Sequence, residues 1–138
     1  ITTGASCCFD HPAQAVVEAI AAGVDPTHIT LSTDGHGSVP RFNDKGEMVG
    51  LGVGGVEGNL KETVRLIRDF NMPIEPALTF TTSNVAGALG IKGHGVIEPG
   101  ACANACLFPE DLELKGVFAR GREMMREGEI LVKGTFEY

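Results

Sequence analysis

The chain has 138 residues and a formal net charge of −7, with 43% hydrophobic and 6% aromatic residues. This length allows one compact domain with a core. The acidic balance argues against a nucleic-acid partner, which needs a basic face, and against an anionic membrane surface; no apolar run reaches the roughly 18 residues of a membrane span.

The first third of the chain predicts a strand, a helix and a second strand. Ile1 to Thr3 has the composition of a strand end, and a helix capped by Asp10 or His11 follows it. Gly23 is a natural stop for this helix. Ile29 to Thr33 is β-branched and apolar, which favours a second strand. Two strands and one helix at this spacing predict a parallel βαβ unit.

A glycine-rich region follows the second predicted strand. Within Asp34 to Gly55, the segments Arg41-Phe42 and Met48 to Leu51 flank Asn43-Asp44-Lys45-Gly46, which predicts a β-hairpin. A long loop after a parallel strand is where α/β folds place function.

Three helices are predicted next. Asn59 and Glu62 have the spacing of a capping box, and the helix that they begin is predicted to end at Phe70. Two further helices are predicted over Ile74 to Phe80 and Asn84 to Leu89.

The pattern of residues 92–138 predicts a small β module. We therefore divide the chain into residues 1–91 and 92–138. Short apolar runs separated by glycines are typical of strands joined by tight turns. The predicted strands span residues 94–97, 105–108, 117–119 and 130–132.

Asp34 is the strongest candidate for chemistry. It leaves a predicted strand and enters a glycine-rich turn, so its carboxylate would lie at the strand's carboxyl end. A carboxylate there can bind a metal and move a proton. The alternative is that Asp34 only stabilises an Asx turn. His36 could be a metal ligand or a solvated loop histidine, and Ser38 a substrate hydrogen-bond donor or a plain turn serine.

The cysteines favour a reducing compartment. Cys7 and Cys8 are adjacent and poorly placed to bridge each other, and Cys102 and Cys106 lack the partners that complete a zinc knuckle. We expect four reduced, mostly buried thiols in a cytoplasmic protein.

Several motifs together resemble the β-aspartyl (isoaspartyl) dipeptidases of the amidohydrolase superfamily. These motifs lie in order along essentially the whole chain. They occupy residues 32–38 (Ser-Thr-Asp-Gly-His-Gly-Ser), 81–90, 92–100, 117–121 and 132–137 (Val-Lys-Gly-Thr-Phe-Glu).

The resemblance implies an α/β fold, specifically the C-terminal part of a (β/α)₈ TIM barrel plus strands of a small β-sandwich module. Ile1 to Thr3 would match the seventh barrel strand and Ile29 to Thr33 the eighth. The resemblance also implies a binuclear Zn²⁺ site. Asp34 would bind one metal and act as general base and acid, and Ser38 would contact a carboxylate of the dipeptide substrate.

The remaining metal ligands implied by the resemblance, histidines and a carboxylated lysine, belong to earlier strands. A barrel needs about 200 residues or more, and a zinc site at least three or four protein ligands. We therefore expect the 138-residue chain alone to be inactive. The chain begins with Ile1, inside a predicted strand, so we expect a fragment or processed piece, with a trimmed chain as the alternative.

One motif departs from the resemblance. Where the family has an acidic pair after the Pro-Gly turn, this chain has Cys102 and Asn104. We expect altered turn packing there and unaltered chemistry.

Two other functions stay open. The first is a different amidohydrolase activity, on a cyclic amide or by deamination. The second is a non-catalytic domain that binds a small acid or a partner chain. For the dipeptidase, we expect a small dipeptide substrate, no nucleic-acid or membrane partner, and a homo-oligomeric full-length protein.

Overall fold

The structure is a computed structural model that describes residues 1–4 and 11–134. The fold is α/β, and the chain divides into two compact units, Ile1–Gly90 and Ile91–Tyr138. The first unit contains four α-helices and a hairpin, and the second contains one antiparallel sheet. No helix of the described part of the chain is long and apolar enough to cross a membrane.

The two predicted strands of the βαβ unit are present as short extended segments in parallel register. Thr2 and Ser32 form a parallel β-bridge. The Ser32 N–H donates to the Ile1 carbonyl at 3.0 Å, and the Thr3 N–H donates to the Ser32 carbonyl at 2.7 Å. The parallel pairing is therefore confirmed, although it is shorter than the predicted strands.

Helix α1 (Pro12–Ala21) connects these two segments. Its N-cap is His11, whose side chain makes no capping hydrogen bond, and proline occupies the first helical position, where no N–H is needed. Gly23 follows the helix with φ +92°, the left-handed conformation typical of a helix stop. The alternative cap, Asp10, lies outside the described residues.

The predicted hairpin is confirmed. Strands β1 (Ser38–Phe42) and β2 (Met48–Val53) pair antiparallel, with a bulge between Arg41 and Phe42. Asn43 stabilises the turn because its side-chain oxygen accepts the N–H groups of Lys45 and Glu47 at 3.0 and 2.9 Å.

The capping box predicted for helix α2 (Gly58–Arg68) is wrong. The N-cap is Glu57, so Asn59 lies inside the first turn, and the helix ends before Phe70. The Glu62 side chain does not cap its own helix either. Its carboxylate accepts the Ala13 N–H of α1 at 2.8 Å and pairs with Arg65. Tertiary partners use both side chains that the pattern had assigned to a local cap.

The other two predicted helices are present as α3 (Ile74–Thr79) and α4 (Ser83–Ala88). Phe80, between them, is completely buried, and its carbonyl accepts the Leu31 N–H at 2.9 Å. The core of this unit joins α1, α2, α3 and the second extended segment. It consists of Ala13, Val16, Ile29, Leu31, Leu66, Ala77 and Phe80.

The second unit is a four-stranded antiparallel meander in the order β3-β4-β5-β6. Its strands are β3 (Ala105–Leu107), β4 (Gly116–Ala119), β5 (Arg122–Arg126) and β6 (Glu129–Ile130). The strand predicted at residues 94–97 is wrong, since this segment forms turns and bends. Strand β5 was not predicted. The described residues contain one sheet here, so the sandwich stays a prediction.

Two tight turns explain β5. Arg120 and Gly121 both have positive φ, as do Glu127 and Gly128. Positive φ at both central residues is the backbone of the two-residue hairpin turn that matches strand twist. The segment between these turns is held in the sheet by pairing, because its Arg-Glu-Met-Met-Arg sequence lacks a strong strand pattern.

Asn104 is one of the two residues at which this chain differs from the family motif, and it stabilises a turn. Its side-chain oxygen accepts the Arg120 N–H at 2.8 Å. Cys102 and Cys106 are free thiols, but Cys102 is only half-buried and Cys106 is exposed, so the expectation of mostly buried thiols is wrong for these two. Partial desolvation raises the pKa of Cys106. Cys7, Cys8 and residues 135–137 of the family tail lie outside the described residues.

Candidate functional site

Asp34 follows the parallel pair and lies in a strained turn. Its φ is +48°, a left-handed conformation that few residues other than glycine adopt. Its side chain is exposed, and its carbonyl accepts the Gly37 N–H at 3.0 Å. The backbone therefore makes a sharp turn that leaves the carboxylate at the surface.

The hydrogen bonds of this turn argue against the Asx-turn alternative. The Gly35 N–H donates to Thr33 Oγ1 at 3.2 Å, and the His36 N–H donates to the Gly54 carbonyl at 3.0 Å. The Gly37 N–H uses the Asp34 carbonyl, so none of these donors reaches the Asp34 carboxylate. Turn formation leaves that carboxylate available for a ligand.

Close backbone contacts fix the position of the turn. A Cβ atom at Gly4 would lie 1.7 Å from the Thr33 carbonyl oxygen, and one at Gly54 would lie 3.1 Å from the Asp34 carbonyl oxygen. A Cβ atom at Gly37 would lie 3.1 Å from Asp34 Oδ1. Side chains at these positions would displace the turn or its carboxylate.

The N-terminal turn of α2 ties both extended segments together. Thr3 Oγ1 donates to Asn59 Oδ1 at 2.8 Å, and Asn59 Nδ2 donates to the Leu31 carbonyl at 3.4 Å. Gly58 permits this approach, since a Cβ atom there would lie 2.6 Å from Thr3 Oγ1. The sequence pattern did not reveal this positioning role of Asn59, because an asparagine followed by glutamate three positions later resembles a local helix cap.

The other predicted site residues, His36 and Ser38, lie near this turn in sequence, and both are exposed. His36 has φ +64° and is exposed, and its backbone N–H anchors the loop to Gly54. Ser38 is the first residue of β1 and pairs with Val53. The side chain of Ser38 is exposed.

Glu57, at the start of α2, is a second carboxylate in this region. A hydrogen bond from its own backbone N–H and the ion pair with Lys61 at 3.1 Å hold the pKa of Glu57 below its usual range. Glu57 is therefore ionised and already neutralised by a neighbour.

The donors for a complete metal centre are not assembled within residues 1–4 and 11–134. No group of three or more His, Cys, Asp or Glu side chains in these ranges could hold a metal ion. Asp34 is exposed, and no hydrogen bond within the described residues occupies its carboxylate.

Two clefts lie elsewhere. One, of about 500 Å³, is lined by residues of the 3₁₀ turn Pro26–His28, by Thr30 and by α4. The other, of about 320 Å³, lies in the second unit and is lined by residues that include Cys102, Asn104 and Phe118. Neither cleft includes Asp34, His36 or Ser38.

Comparison with known proteins defines the class to which this fold and turn belong. Residues 9–124 match the profile of the amidohydrolase family. The match spans most of the chain, and the chain therefore belongs to this family.

The particular resemblance is to a β-aspartyl dipeptidase. The crystal structure of this enzyme from the thermophilic, keratin-degrading Fervidobacterium islandicum AW-1, in complex with a β-Asp-Leu dipeptide, matches with a TM-score of 0.80. The sequence identity is 28%, and the match covers 98% of this chain and 35% of that chain. The chain thus spans about a third of the length of the enzyme that it matches.

Two further structures share the fold. A second structure of the Fervidobacterium islandicum AW-1 enzyme matches with a TM-score of 0.76 at 20% identity, over 98% of this chain and 33% of that chain. The N-acetylglucosamine-6-phosphate deacetylase of Thermotoga maritima matches with a TM-score of 0.64 at 17% identity, over 85% of this chain and 36% of that chain.

Proposed function

We propose that this chain forms the C-terminal part of a zinc-dependent hydrolase that cleaves β-aspartyl dipeptides. In this proposal, residues 1–91 are the end of a (β/α)₈ barrel, and Asp34 acts at the carboxyl end of its last strand. The observation that supports the proposal most strongly is the free carboxylate of Asp34. It lies on a strained turn after a parallel pair, and no turn hydrogen bond uses it.

Asp34 has two roles in this proposal. Its carboxylate binds one of the metals and moves a proton from the attacking water to the leaving amine. A bound Zn²⁺ would polarise the amide carbonyl and lower the pKa of water. The other ligands come from parts of the protein beyond this chain, so the 138 residues alone are inactive.

The test is steady-state hydrolysis of β-Asp-Leu by the complete gene product that contains this chain. Asp34→Asn is nearly isosteric but lacks the basicity for proton transfer. A general acid or base contributes about 10²–10⁴-fold in rate, and kcat should fall by at least that much. Asp44→Asn, at the exposed tip of the hairpin, is the matched control and should retain kcat. An Asp34→Asn enzyme with near-normal kcat and full metal content would refute the proposed role.

Ser38 remains the proposed contact for a substrate carboxylate. That carboxylate is remote from the reacting bond, so part of the effect of Ser38→Ala should fall on KM. A hydrogen bond to a charged group is worth about 1.5–3 kcal/mol, which corresponds to about 10–150-fold in kcat/KM. A fall in kcat alone, with KM unchanged, would argue against this contact.

A further inference from the structure

The two faces of the β1–β2 hairpin differ in chemistry. Pro40, Phe42, Leu51 and Val53 alternate with residues of the opposite face, and Phe42, Leu51 and Val53 are 61–72% exposed. On the opposite face, β1 presents Val39 and Arg41, and the β2 residues that pair with them are Gly52 and Gly50. Arg41 is thus a cation beside two positions of β2 that have no side chain.

The guanidinium of Arg41 lies over the backbone of β2. A Cβ atom at Gly52 would lie 2.8 Å from Arg41 Nε and 3.1 Å from Nη2. A side chain at position 52 would therefore push the guanidinium away from the strand. Because Gly52 has no side chain, the Arg41 guanidinium can lie close to the backbone of β2.

The Asp34 carboxylate lies on this same face. It contacts Gly37, which precedes Val39 by two residues, and Val39 pairs directly with Gly52. Two residues of a strand span roughly 7 Å and paired strands lie about 5 Å apart, which places the guanidinium over Gly52 roughly 9 Å from the carboxylate over Gly37. Two opposite charges on one face at this distance could engage different parts of one small molecule.

Arg41 has no side-chain partner in the part of the chain that the structure describes. Within residues 1–4 and 11–134, its side chain makes no ion pair or side-chain hydrogen bond. The whole chain has 11 basic and 18 acidic side chains, so its field opposes the approach of anions. A free guanidinium beside the Asp34 turn would offset that repulsion where an anionic substrate binds.

We infer that Arg41 determines specificity by binding a carboxylate of the dipeptide substrate while Asp34 acts on the scissile amide. This inference rests on the proposed function. A β-aspartyl dipeptide has two carboxylates that flank the scissile amide, on the aspartyl residue and on the leaving residue. A planar guanidinium binds a carboxylate through paired hydrogen bonds.

The experiment compares Arg41→Gln and Arg41→Lys with the wild-type complete gene product on β-Asp-Leu. Arg41→Gln should raise KM and lower kcat/KM by about 10–150-fold, the value of a hydrogen bond to a charged group. Arg41→Lys keeps the charge and loses the fork, so its loss should be smaller. The matched control is Lys45→Gln, which removes an exposed cation from the tip of the same hairpin and should leave KM unchanged.

Two blocked substrates test the contact itself, one with the aspartyl carboxylate and one with the C-terminal carboxylate converted to an amide. The Arg41→Gln loss should disappear on one of them. An equal loss on both, or an Arg41→Gln enzyme indistinguishable from Lys45→Gln, would overturn the inference while leaving the dipeptidase function intact. A wild-type protein that does not hydrolyse β-Asp-Leu would overturn both.

Discussion

Asp34 adopts the left-handed backbone conformation, which is unfavourable for most residues other than glycine. A non-glycine residue in the left-handed region costs of order 1–3 kcal/mol and persists only where surrounding contacts enforce it. Here those contacts are the hydrogen bonds from Gly54 to Gly37 and from His36 to Gly54, at 2.9 and 3.0 Å. The hairpin thus holds the turn that leaves the carboxylate at the surface.

The close approach of Gly4 to Thr33 leads to a prediction for a single residue. A methyl group on Gly4 would lie 1.7 Å from the Thr33 carbonyl oxygen, so Gly4→Ala must move the strand end that carries Asp34. We expect a fall in kcat and in thermal stability of the complete gene product. Gly87→Ala is the control, because it lies in α4 with no atom within 4 Å of the added Cβ. Alanine should stabilise that helix by roughly 0.5–1 kcal/mol. Equal stability and activity of both variants would contradict the close approach.

Helices α1 and α2 are joined by a polar contact that is buried. Glu62 is 6% exposed, and its carboxylate accepts the Ala13 N–H at 2.8 Å at the start of α1. Arg65, one turn along α2, pairs with the same carboxylate and offsets its charge. Because Ala13 is itself completely buried, water cannot replace Glu62 as the acceptor for the Ala13 N–H.

We therefore predict that Glu62→Ala destabilises the protein by about 1–3 kcal/mol, the cost of leaving a buried donor unsatisfied. Glu62→Gln retains an acceptor oxygen and should cost less. Glu57→Ala removes an exposed ion pair with Lys61 and should change the free energy of unfolding little. Urea denaturation of the three variants measures these differences. A Glu62→Ala protein as stable as the Glu57→Ala protein would show that the contact is unimportant.

At the scale of the whole molecule, this chain covers about a third of the related dipeptidase. The described residues contain one parallel bridge in place of a closed barrel, and no group of three or more His, Cys, Asp or Glu side chains among them could hold a metal ion. A metal site that holds zinc well needs three or four protein ligands. The proposed chemistry is therefore a property of a larger assembly of strands.

This leads to a prediction for the 138-residue chain produced alone. We expect weak zinc binding by titration calorimetry and no measurable hydrolysis of β-Asp-Leu, because the remaining ligands are not supplied. Circular dichroism on the same sample establishes whether the chain has folded. Turnover by a purified 138-residue chain, abolished by Asp34→Asn, would show that it contains a sufficient site.

The sequence by itself determined the elements whose signals are local. Proline at the start of α1, Gly23 after it and the Asn43 to Gly46 turn each restrict the backbone of their own residues, so their elements were predicted correctly. Asp34 could be selected for the same reason, since a carboxylate between a strand and a glycine-rich turn is a local pattern.

The tertiary structure decided the contacts between residues far apart in the chain. Thr3 is 56 residues from Asn59, and Ala13 is 49 residues from Glu62, so no local pattern could show that these long-range bonds replace the predicted capping box. The same holds for β5, which pairing places in the sheet, and for Arg41 over Gly52, which needs the strand register. Side-chain partners depend on which segments the fold brings together, and that information is spread over the whole chain.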